Sequence, residues 1–222
     1  MKFYIHTTGC KANQWDSYII QEELINAGMK IANTLSQADL IVINACTVTE
    51  GADRDIRRFI NRCRRLDHKG KIILVGCQPQ AHQKDTFGVD LILGQNEKYF
   101  IKAFISENGN FIGDRDKIVL EEIPKNSSRF QIGKTRFFFK IQDGCNRFCS
   151  YCIVPYTRGE EFSRPFDDVL AEVRSRALLA GVRMEGTGAE ARVRVLGSVV
   201  QRSQLCFVGV FFFVKQKTAY GV

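Results

Sequence analysis

The sequence of 222 residues predicts an α/β protein that begins with an open parallel sheet. Short apolar runs rich in β-branched residues alternate with segments whose apolar residues have helical spacing. Such a strand–helix–strand order needs crossover connections, which join parallel strands in a right-handed sense. Three of the predicted strands are each followed by a cysteine. We therefore expect chemistry at one edge of the sheet, because ligands bind outside the carboxyl ends of parallel strands.

The first part of the pattern contains two strands and one helix. The strands are predicted over the runs KFYIHTTG and DLIVINA, which have the composition of buried strands. Between them a helix is predicted over DSYIIQEELINAGM, with Asp16 and Ser17 near its start and Gly28 as its stop. Its apolar residues fall on one face, so we expect the helix to pack against the sheet.

The second part repeats the pattern and sets the domain boundaries. A helix is predicted over ADRDIRRFINRCRRL, with its apolar face formed by Ile56, Phe59, Ile60, Cys63 and Leu66. On that face Cys63 is expected to be a core residue. The strands KIILVG and VDLILG and the helix NEKYFIKAFIS follow. We predict a first domain over residues 1–113, a polar linker over 114–136, and a second domain over 137–181 that starts with the strand RFFFKIQ.

The strand-end triad, our name for Cys10, Cys46 and Cys77, consists of the cysteines that follow the three strands. Parallel strands bring their carboxyl ends to the same edge, so the three thiols are predicted to meet there. Three convergent cysteines indicate a metal site. The alternative is that they are three small buried side chains at strand ends.

The loop triad, our name for Cys145, Cys149 and Cys152, stands in the run DGCNRFCSYC. Its Cys-x3-Cys-x2-Cys spacing offers three thiolates, whereas structural zinc takes four ligands and most iron–sulfur cubes take four cysteines. A cube on three cysteines keeps one iron free to bind another molecule. Two alternatives are a zinc knuckle, which would lack a fourth ligand, and a redox pair of Cys149 with Cys152, which would leave Cys145 without a role.

Four segments resemble the methylthiotransferases, a family of radical S-adenosylmethionine (SAM) enzymes. The family's three amino-terminal cysteine motifs are similar to TTGCKANQWDS, INACTVTEGADRDIRR and VGCQPQ. The radical-SAM loop and its flanks are similar to TRFFFKIQDGCNRFCSYCIVPYTRGEEFSRP. Gly-Cys-Lys in the first motif, and Cys-Thr-Val-Thr with Ala-Asp-Arg in the second, resemble the branch that modifies threonylcarbamoyladenosine beside the tRNA anticodon. The resemblance covers about residues 1–175.

This resemblance implies two 4Fe–4S clusters and SAM as cofactors. The strand-end triad would hold an auxiliary cluster, and the loop triad would hold the cluster that binds SAM. The second domain would then be the beginning of a radical-SAM (β/α) barrel, which is incomplete in this chain. Tyr151 lies where the superfamily has an aromatic residue near the SAM adenine. Simple packing within the loop is the alternative for that side chain.

The implied activity is transfer of a methylthio group to C2 of N6-threonylcarbamoyladenosine. A 5′-deoxyadenosyl radical made from SAM would remove the C2 hydrogen, the auxiliary cluster would supply sulfur, and a second SAM would supply the methyl group. The implied partners are tRNA and an electron donor such as flavodoxin or ferredoxin. The alternatives are transfer to isopentenyladenosine in tRNA or to a ribosomal protein, a non-catalytic iron–sulfur or RNA-binding module, and an α/β domain whose cysteines are merely buried.

Charge gives a weaker indication of an RNA partner. The formal net charge is +8, but residues 176–222 contribute +5 of it through seven basic and two acidic residues, which leaves +3. A local cluster on one predicted helix consists of Arg54, Arg57, Arg58, Arg62, Arg64 and Arg65. These side chains could meet phosphates, or they could form a solvated helix face.

The remaining predictions concern location and the carboxy-terminal region. No signal peptide is visible, and the longest apolar run, LCFVGVFFFV, is shorter than the ~20 residues that cross a bilayer. Metal-type cysteine spacing without an export signal indicates a reducing cytoplasm and no membrane. Residues 182–222, which include Cys206, have no family motif, and FFFVKQKTAY resembles translated sequencing-adapter read-through. We expect this tail not to be native and the chain to be an inactive fragment.

Overall fold

The computed structural model describes residues 1–48, 50–66, 70–84, 87–114, 136–179 and 211–215. Its largest feature is a six-stranded sheet with the order β2-β1-β3-β4-β5-β6. These strands are β1 (Lys2–Thr7), β2 (Lys30–Ile31), β3 (Leu40–Ala45), β4 (Lys71–Gly76), β5 (Leu91–Leu93) and β6 (Gly109–Phe111). All five neighbouring pairs are parallel, so the predicted open parallel sheet is confirmed.

Helices cover both faces of this sheet. They are α1 (Lys11–Asn26), α2 (Glu50–Arg65), the short α3 (Cys77–Ala81) and α4 (Ile101–Phe104), which follows a 3₁₀ helix (Glu97–Phe100). The start of α1 near Asp16 was predicted wrongly, because the helix begins at Lys11 with Cys10 as its N-cap residue. Asp16 lies instead in the buried interior of the helix, where its side chain binds cations.

Two apolar clusters form the core, one on each face. Side chains of successive strand residues point to opposite faces, so β3 sends Ile41 and Ile43 to one cluster and Val42 to the other. The α2 side includes Ile56, Ile60 and Cys63, and the opposite side includes Ile20, Leu24 and Ile101 of α1 and α4. Cys63 is fully buried, which confirms its core role.

Leu66 corrects the predicted apolar face of α2. The helix ends at Arg65, and the Leu66 side chain is 56% exposed rather than packed against the sheet. The helical spacing that includes Leu66 continues past the point where the helix itself stops.

The region after the sheet contains β7 (Arg136–Lys140), β8 (Gln142–Asp143), α5 (Val154–Arg158), β9 (Phe162–Ser163), α6 (Phe166–Leu179) and β10 (Phe211–Lys215). Here β7 pairs with β10 and β8 pairs with β9, and both pairs are antiparallel. A (β/α) barrel needs parallel neighbours. The described residues therefore confirm the strand β7 and the helix α6 but do not confirm the beginning of a barrel.

Several predictions fall outside the described residues. They are the linker between residues 115 and 135 and most of the tail, including Cys206. Within the part of the chain that the structure describes, no helix has the length and apolarity needed to cross a membrane.

Candidate metal centre

The strand-end triad lies at the carboxyl ends of three adjacent strands. The N-cap of α1 is Cys10, which comes three residues after β1, while Cys46 follows β3 directly and Cys77 is the first residue of α3 after β4. Because β3 lies between β1 and β4, the middle cysteine has one of the others on each side. The three cysteines therefore follow adjacent strands at one edge of the sheet, and their joint role as metal ligands stays a prediction.

The thiols of Cys10 and Cys46 interact directly. A hydrogen bond from Cys46 lowers the pKa of Cys10 to about 5, and the same bond raises the pKa of Cys46. The lowered pKa favours the thiolate form of Cys10. Cys46 and Cys77 are both buried, whereas Cys10 is exposed, so the triad opens to solvent on the side of β1. A thiolate is the form of cysteine that binds metals.

Gly9 allows this close approach of the first two cysteines. Its φ is +90°, and a Cβ at this position would lie 2.2 Å from Cβ and 2.5 Å from Sγ of Cys46. Any side chain at residue 9 would occupy the space of Cys46. Glycine before Cys10 is therefore required for steric reasons, in addition to the chemical role predicted for the cysteine.

Hydrogen bonds between buried and partly buried polar groups fix the loop between β1 and α1. The backbone N–H of Cys46 donates to Thr8 Oγ1 at 3.0 Å, and Asn13 Nδ2 donates to the Thr8 carbonyl at 2.9 Å. From β3, Asn44 Nδ2 donates to the Asn13 carbonyl and to Ser17 Oγ, each at 2.8 Å. These bonds tie the loop around Cys10 to the end of β3, where Cys46 follows.

Glutamines surround Cys77. Gln95 Nε2 donates to Cys77 Sγ at 2.8 Å, and the Gln95 N–H donates to Gln80 Oε1 at 3.0 Å. Gln78 is 1% exposed, and neither polar atom of its amide has a hydrogen-bond partner among the described residues. A buried amide without partners is costly. Gln78 is therefore a polar group suited to a bound ligand beside Cys77, and sequence reasoning missed it.

The loop triad is held in a compact loop. The Cys145 N–H donates to the Gly159 carbonyl at 3.1 Å, and the Cys152 N–H donates to the Cys149 carbonyl at 2.9 Å. Gly144 has a φ of +71°, and a Cβ there would lie 1.9 Å from the Glu160 carbonyl oxygen. Cys145 is buried, and the other two cysteines are partly exposed.

Tyr151 extends from the loop triad into solvent. Its side chain is 90% exposed, so it does not pack within the loop. The packing alternative for this residue is therefore not supported. The adenine-contact role of Tyr151 stays a prediction.

An ion cluster around Asp16 is a feature that the sequence did not predict. The carboxylate of Asp16 lies 2.7 Å from Lys98 Nζ, 2.6 Å from Lys140 Nζ and 2.9 Å from Arg158 Nη2. Tyr99 also donates its hydroxyl to Asp16 at 2.7 Å. Burial alone would raise the pKa of Asp16, but these three cations outweigh it and hold that pKa well below the ordinary value.

A second carboxylate, Asp143, completes the ion cluster. Arg158 Nη1 lies 2.8 and 2.9 Å from its two oxygens, and Lys140 also binds it. Burial would raise the pKa of Asp143, but Arg158 and Lys140 bring it to about 2. We use "ion cluster" for Asp16, Lys98, Lys140, Asp143 and Arg158.

Comparisons with known proteins agree with these cysteine motifs. Residues 2–94 match the family model described as "Uncharacterized protein family UPF0004". The chain is 33% identical over 186 residues to tRNA-2-methylthio-N(6)-dimethylallyladenosine synthase of Ehrlichia ruminantium (strain Gardel), covering 76% of this chain and 40% of the relative. It is 30% identical over 184 residues to threonylcarbamoyladenosine tRNA methylthiotransferase MtaB of Aquifex aeolicus (strain VF5), covering 78% and 44%. The chain belongs to the methylthiotransferase family.

The chain spans less than half the length of the curated relatives that it matches. Relatives named for dimethylallyladenosine and for threonylcarbamoyladenosine match at similar identity. The family is therefore shown by the comparison, while the branch rests on the sequence motifs alone.

The donor sets of the two triads fit iron–sulfur clusters in their chemistry. Thiolates are soft ligands that select such clusters. Among the described residues, no group of three or more His, Cys, Asp or Glu side chains is arranged as ligands of a single metal ion. That criterion applies to one metal ion, whereas the three thiolates of a triad would each bind a different iron of a 4Fe–4S cluster. The buried amide of Gln78, which has no partner among the described residues, further fits a bound group at the strand-end triad.

Proposed function

We propose that this chain is part of a radical-SAM methylthiotransferase that adds a methylthio group to C2 of N6-threonylcarbamoyladenosine next to the tRNA anticodon. The observation that carries the proposal is the convergence of Cys10, Cys46 and Cys77 at the carboxyl ends of three adjacent strands. Family membership and the Cys-x3-Cys-x2-Cys loop support it. The Gly-Cys-Lys and Cys-Thr-Val-Thr sequences favour threonylcarbamoyladenosine over the other substrates of the family.

Each triad would hold one 4Fe–4S cluster. When bound, these groups supply the electron that cleaves SAM at the loop triad and the sulfur at the strand-end triad. The protein contributes binding and orientation: burial of Cys46 and Cys77 keeps water from two ligands, and Gln95 fixes the position of the Cys77 thiol. The lowered pKa of Cys10 beside Cys46 favours the thiolate, which is the form of cysteine that binds iron.

The proposed cofactors and partners follow from this assignment. They are two 4Fe–4S clusters, SAM, a tRNA substrate and an electron donor such as flavodoxin or ferredoxin, in the cytoplasm. Tyr151 would contact the SAM adenine, since its exposed ring offers a face for stacking. The relatives are more than twice as long as the matched part of this chain, and we propose that the chain does not carry out the transfer alone.

Anaerobic reconstitution with iron and sulfide tests the assignment of both triads. We expect about eight irons per chain in the wild type. Replacing all three cysteines of either triad by alanine should leave about four. Cys63→Ala is the matched control, because Cys63 is a buried cysteine on the core side of α2, and it should keep all of the iron.

The other outcomes of this experiment are also decisive. Four irons that persist when the loop triad is replaced would mean that only the strand-end triad binds a cluster. A wild-type chain that binds no iron would contradict the proposed function and return the cysteines to the alternative of buried side chains.

A non-catalytic iron–sulfur or RNA-binding module is the second candidate. The observation that favours it is the exposed basic face of α2, formed by Arg54, Arg57, Arg58, Arg62, Arg64 and Arg65. Part of this face is engaged within the protein, since Arg58 pairs with Asp55 and Arg64 donates to the Phe87 carbonyl. Formation of 5′-deoxyadenosine from SAM by the reduced, reconstituted chain would separate the enzyme from the module.

A further inference from the structure

The ion cluster lies between the two cysteine triads. We propose that Asp16 and Arg158 are positioning residues, which hold the loop triad against the edge of the sheet that carries the strand-end triad. This inference rests on the proposed function, because it assigns the two residues a role in the same reaction. It concerns residues that bind neither cluster.

The ion cluster is built from two separate parts of the chain. Asp16 belongs to α1 and Lys98 to the 3₁₀ helix before α4, so both come from the sheet domain. Lys140, Asp143 and Arg158 belong to β7, β8 and α5 of the second region. The side chains of Asp16 and Lys98 are fully buried, and those of Lys140 and Arg158 are nearly so. Charged side chains from both regions are therefore buried and paired where the two regions meet.

From the sheet side, the ion cluster is connected to two cysteines of the strand-end triad. Asp16 lies on α1, whose N-cap residue is Cys10. Lys98 Nζ donates to Gln95 Oε1, and the other end of that amide donates to Cys77 Sγ at 2.8 Å. A shift of Lys98 would therefore move the side chain that holds Cys77.

From the second region, the ion cluster is connected to the loop triad. Asp143 is separated from Cys145 by one glycine, and Arg158 is followed by Gly159, whose carbonyl accepts from the Cys145 N–H at 3.1 Å. The helix α5, which ends at Arg158, packs against α3, which begins at Cys77. Arg158 thus holds the start of the loop through its side chain, which binds Asp143, and follows the end of the loop in the chain, next to the carbonyl that binds Cys145.

Arg158 is the member that bridges the two regions. Its Nη1 binds both oxygens of Asp143 within the second region, while its Nη2 binds Asp16 at 2.9 Å and Asn13 Oδ1 at 3.2 Å across the contact. This two-sided arrangement needs the planar fork of a guanidinium, which an ammonium group cannot reproduce. Buried ion pairs contribute little net stability, but they fix one arrangement of the elements that carry them.

The charge of the ion cluster also suits an anionic neighbour. It contains three cations, Lys98, Lys140 and Arg158, and two carboxylates, which leaves one positive charge in a buried place. The ion cluster adjoins the strand-end triad through Gln95, whose amide contacts both Lys98 and Cys77. Thiolate ligands of a metal cluster would supply the missing negative charge.

The test is hydrogen–deuterium exchange of the full, metal-free chain, read by mass spectrometry. Arg158→Met removes the bridging guanidinium, and Asp16→Asn removes its partner from the opposite side. We expect each change to speed exchange in the peptides between Cys145 and Cys152 by about tenfold or more, because a hydrogen bond to a charged group is lost. Exchange in β3 and β4 should stay within about twofold of the wild type.

Two further variants sharpen this result. Arg58→Met removes an exposed arginine that pairs with Asp55 and should change exchange in neither region. Arg158→Lys keeps the charge without the fork and should still loosen the loop. Unchanged loop exchange in both Arg158→Met and Asp16→Asn overturns the proposal. Equal acceleration in β3 and β4 also overturns it, because the ion cluster would then stabilise the whole sheet.

Reconstitution of the same variants with iron and sulfide separates this inference from the proposed function. Arg158→Met should keep about eight irons, because Arg158 binds neither cluster. Loss of about four irons in this variant would mean that Arg158 is needed for cluster binding itself, which overturns the positioning role. A wild-type chain without iron contradicts the proposed function, and the exchange measurement still decides whether Asp16 and Arg158 hold the two regions together.

Discussion

Among single residues, Gly9 controls how closely Cys10 and Cys46 approach. Its φ of +90° is left-handed, and a Cβ there would lie 2.2 Å from Cβ of Cys46. We predict that Gly9→Ala lowers the free energy of unfolding by more than the ~1–2 kcal/mol that left-handed backbone alone costs, because Cys46 must also move. The strand-end triad should then fail to bind its irons, and the count per chain after reconstitution should fall by about four.

Gly28→Ala is the matched control for that substitution. Gly28 has a φ of +82°, but nothing lies within 4 Å of the position that its Cβ would take. We expect this variant to lose only about 1–2 kcal/mol and to keep its iron. Urea unfolding, followed by the fluorescence of the single tryptophan, Trp15, measures the loss. Equal losses for the two alanine variants would contradict the steric argument for Gly9.

At the scale of elements, α2 allows a comparison of two apolar residues that sequence spacing treats alike. Ile60 is 1% exposed within the core cluster, whereas Leu66 follows the last residue of the helix and is 56% exposed. We predict that Ile60→Ala lowers the free energy of unfolding by about 2–5 kcal/mol. Leu66→Ala should change it by less than about 0.5 kcal/mol. Urea unfolding measures both, and a large loss at Leu66 would show that α2 packs beyond Arg65.

The junction of α1 with β3 is polar and buried, and Asn44 is its central side chain. Its Nδ2 donates to the Asn13 carbonyl and to Ser17 Oγ. Asn44→Ala should lower the free energy of unfolding by about 1–3 kcal/mol, because buried partners lose their donor. Asn110→Ala is the control, since its bond to the Gln83 carbonyl is exposed, and we expect a change below about 0.5 kcal/mol. Similar urea midpoints for the two variants would refute a structural role of this junction.

Local composition explains which elements the sequence could predict. The strands β1, β3 and β4 are six residues long and rich in β-branched, aromatic and other apolar residues, so their composition alone predicts them. By contrast, β2 and β6 have two and three residues, and they are strands only because β1 and β5 offer them hydrogen bonds. The position of each cysteine after a strand was therefore predictable, whereas the width of the sheet was not.

In the whole molecule, the ion cluster shows what sequence periodicity cannot reveal. Asp16 binds cations that are 82, 124 and 142 positions away along the chain. In the sequence, Asp16 is a polar residue of a predicted amphipathic helix. Such residues commonly mark the start of a helix or lie on its solvated face. The partners of a buried carboxylate are decided by tertiary structure. The cysteine motifs could be predicted from the sequence, but the residues that join their two regions could not.

In the whole molecule, Asp16 also predicts how the contact between the two regions depends on pH. Its pKa is held well below the ordinary value in the folded state, so its contribution is fully present above the unfolded pKa of about 3.9 and is lost as the pH falls through the folded pKa. Asp16→Asn should therefore weaken the contact between the two regions by about 3–5 kcal/mol, unchanged between about pH 7 and 5, while the sheet keeps its own stability. The difference from the wild type should shrink below about pH 4.

Urea unfolding of the two proteins across this pH range measures the difference, with Trp15 as the reporter because it packs 4.9 Å from Lys140. Asp55→Asn is the control, since Asp55 forms an exposed pair with Arg58, and it should stay within about 0.5 kcal/mol of the wild type throughout. A difference for Asp16→Asn that persists undiminished at pH 3 would mean that the asparagine variant loses packing rather than charge. A difference that shrinks would assign the stabilisation to the buried carboxylate that joins the two regions.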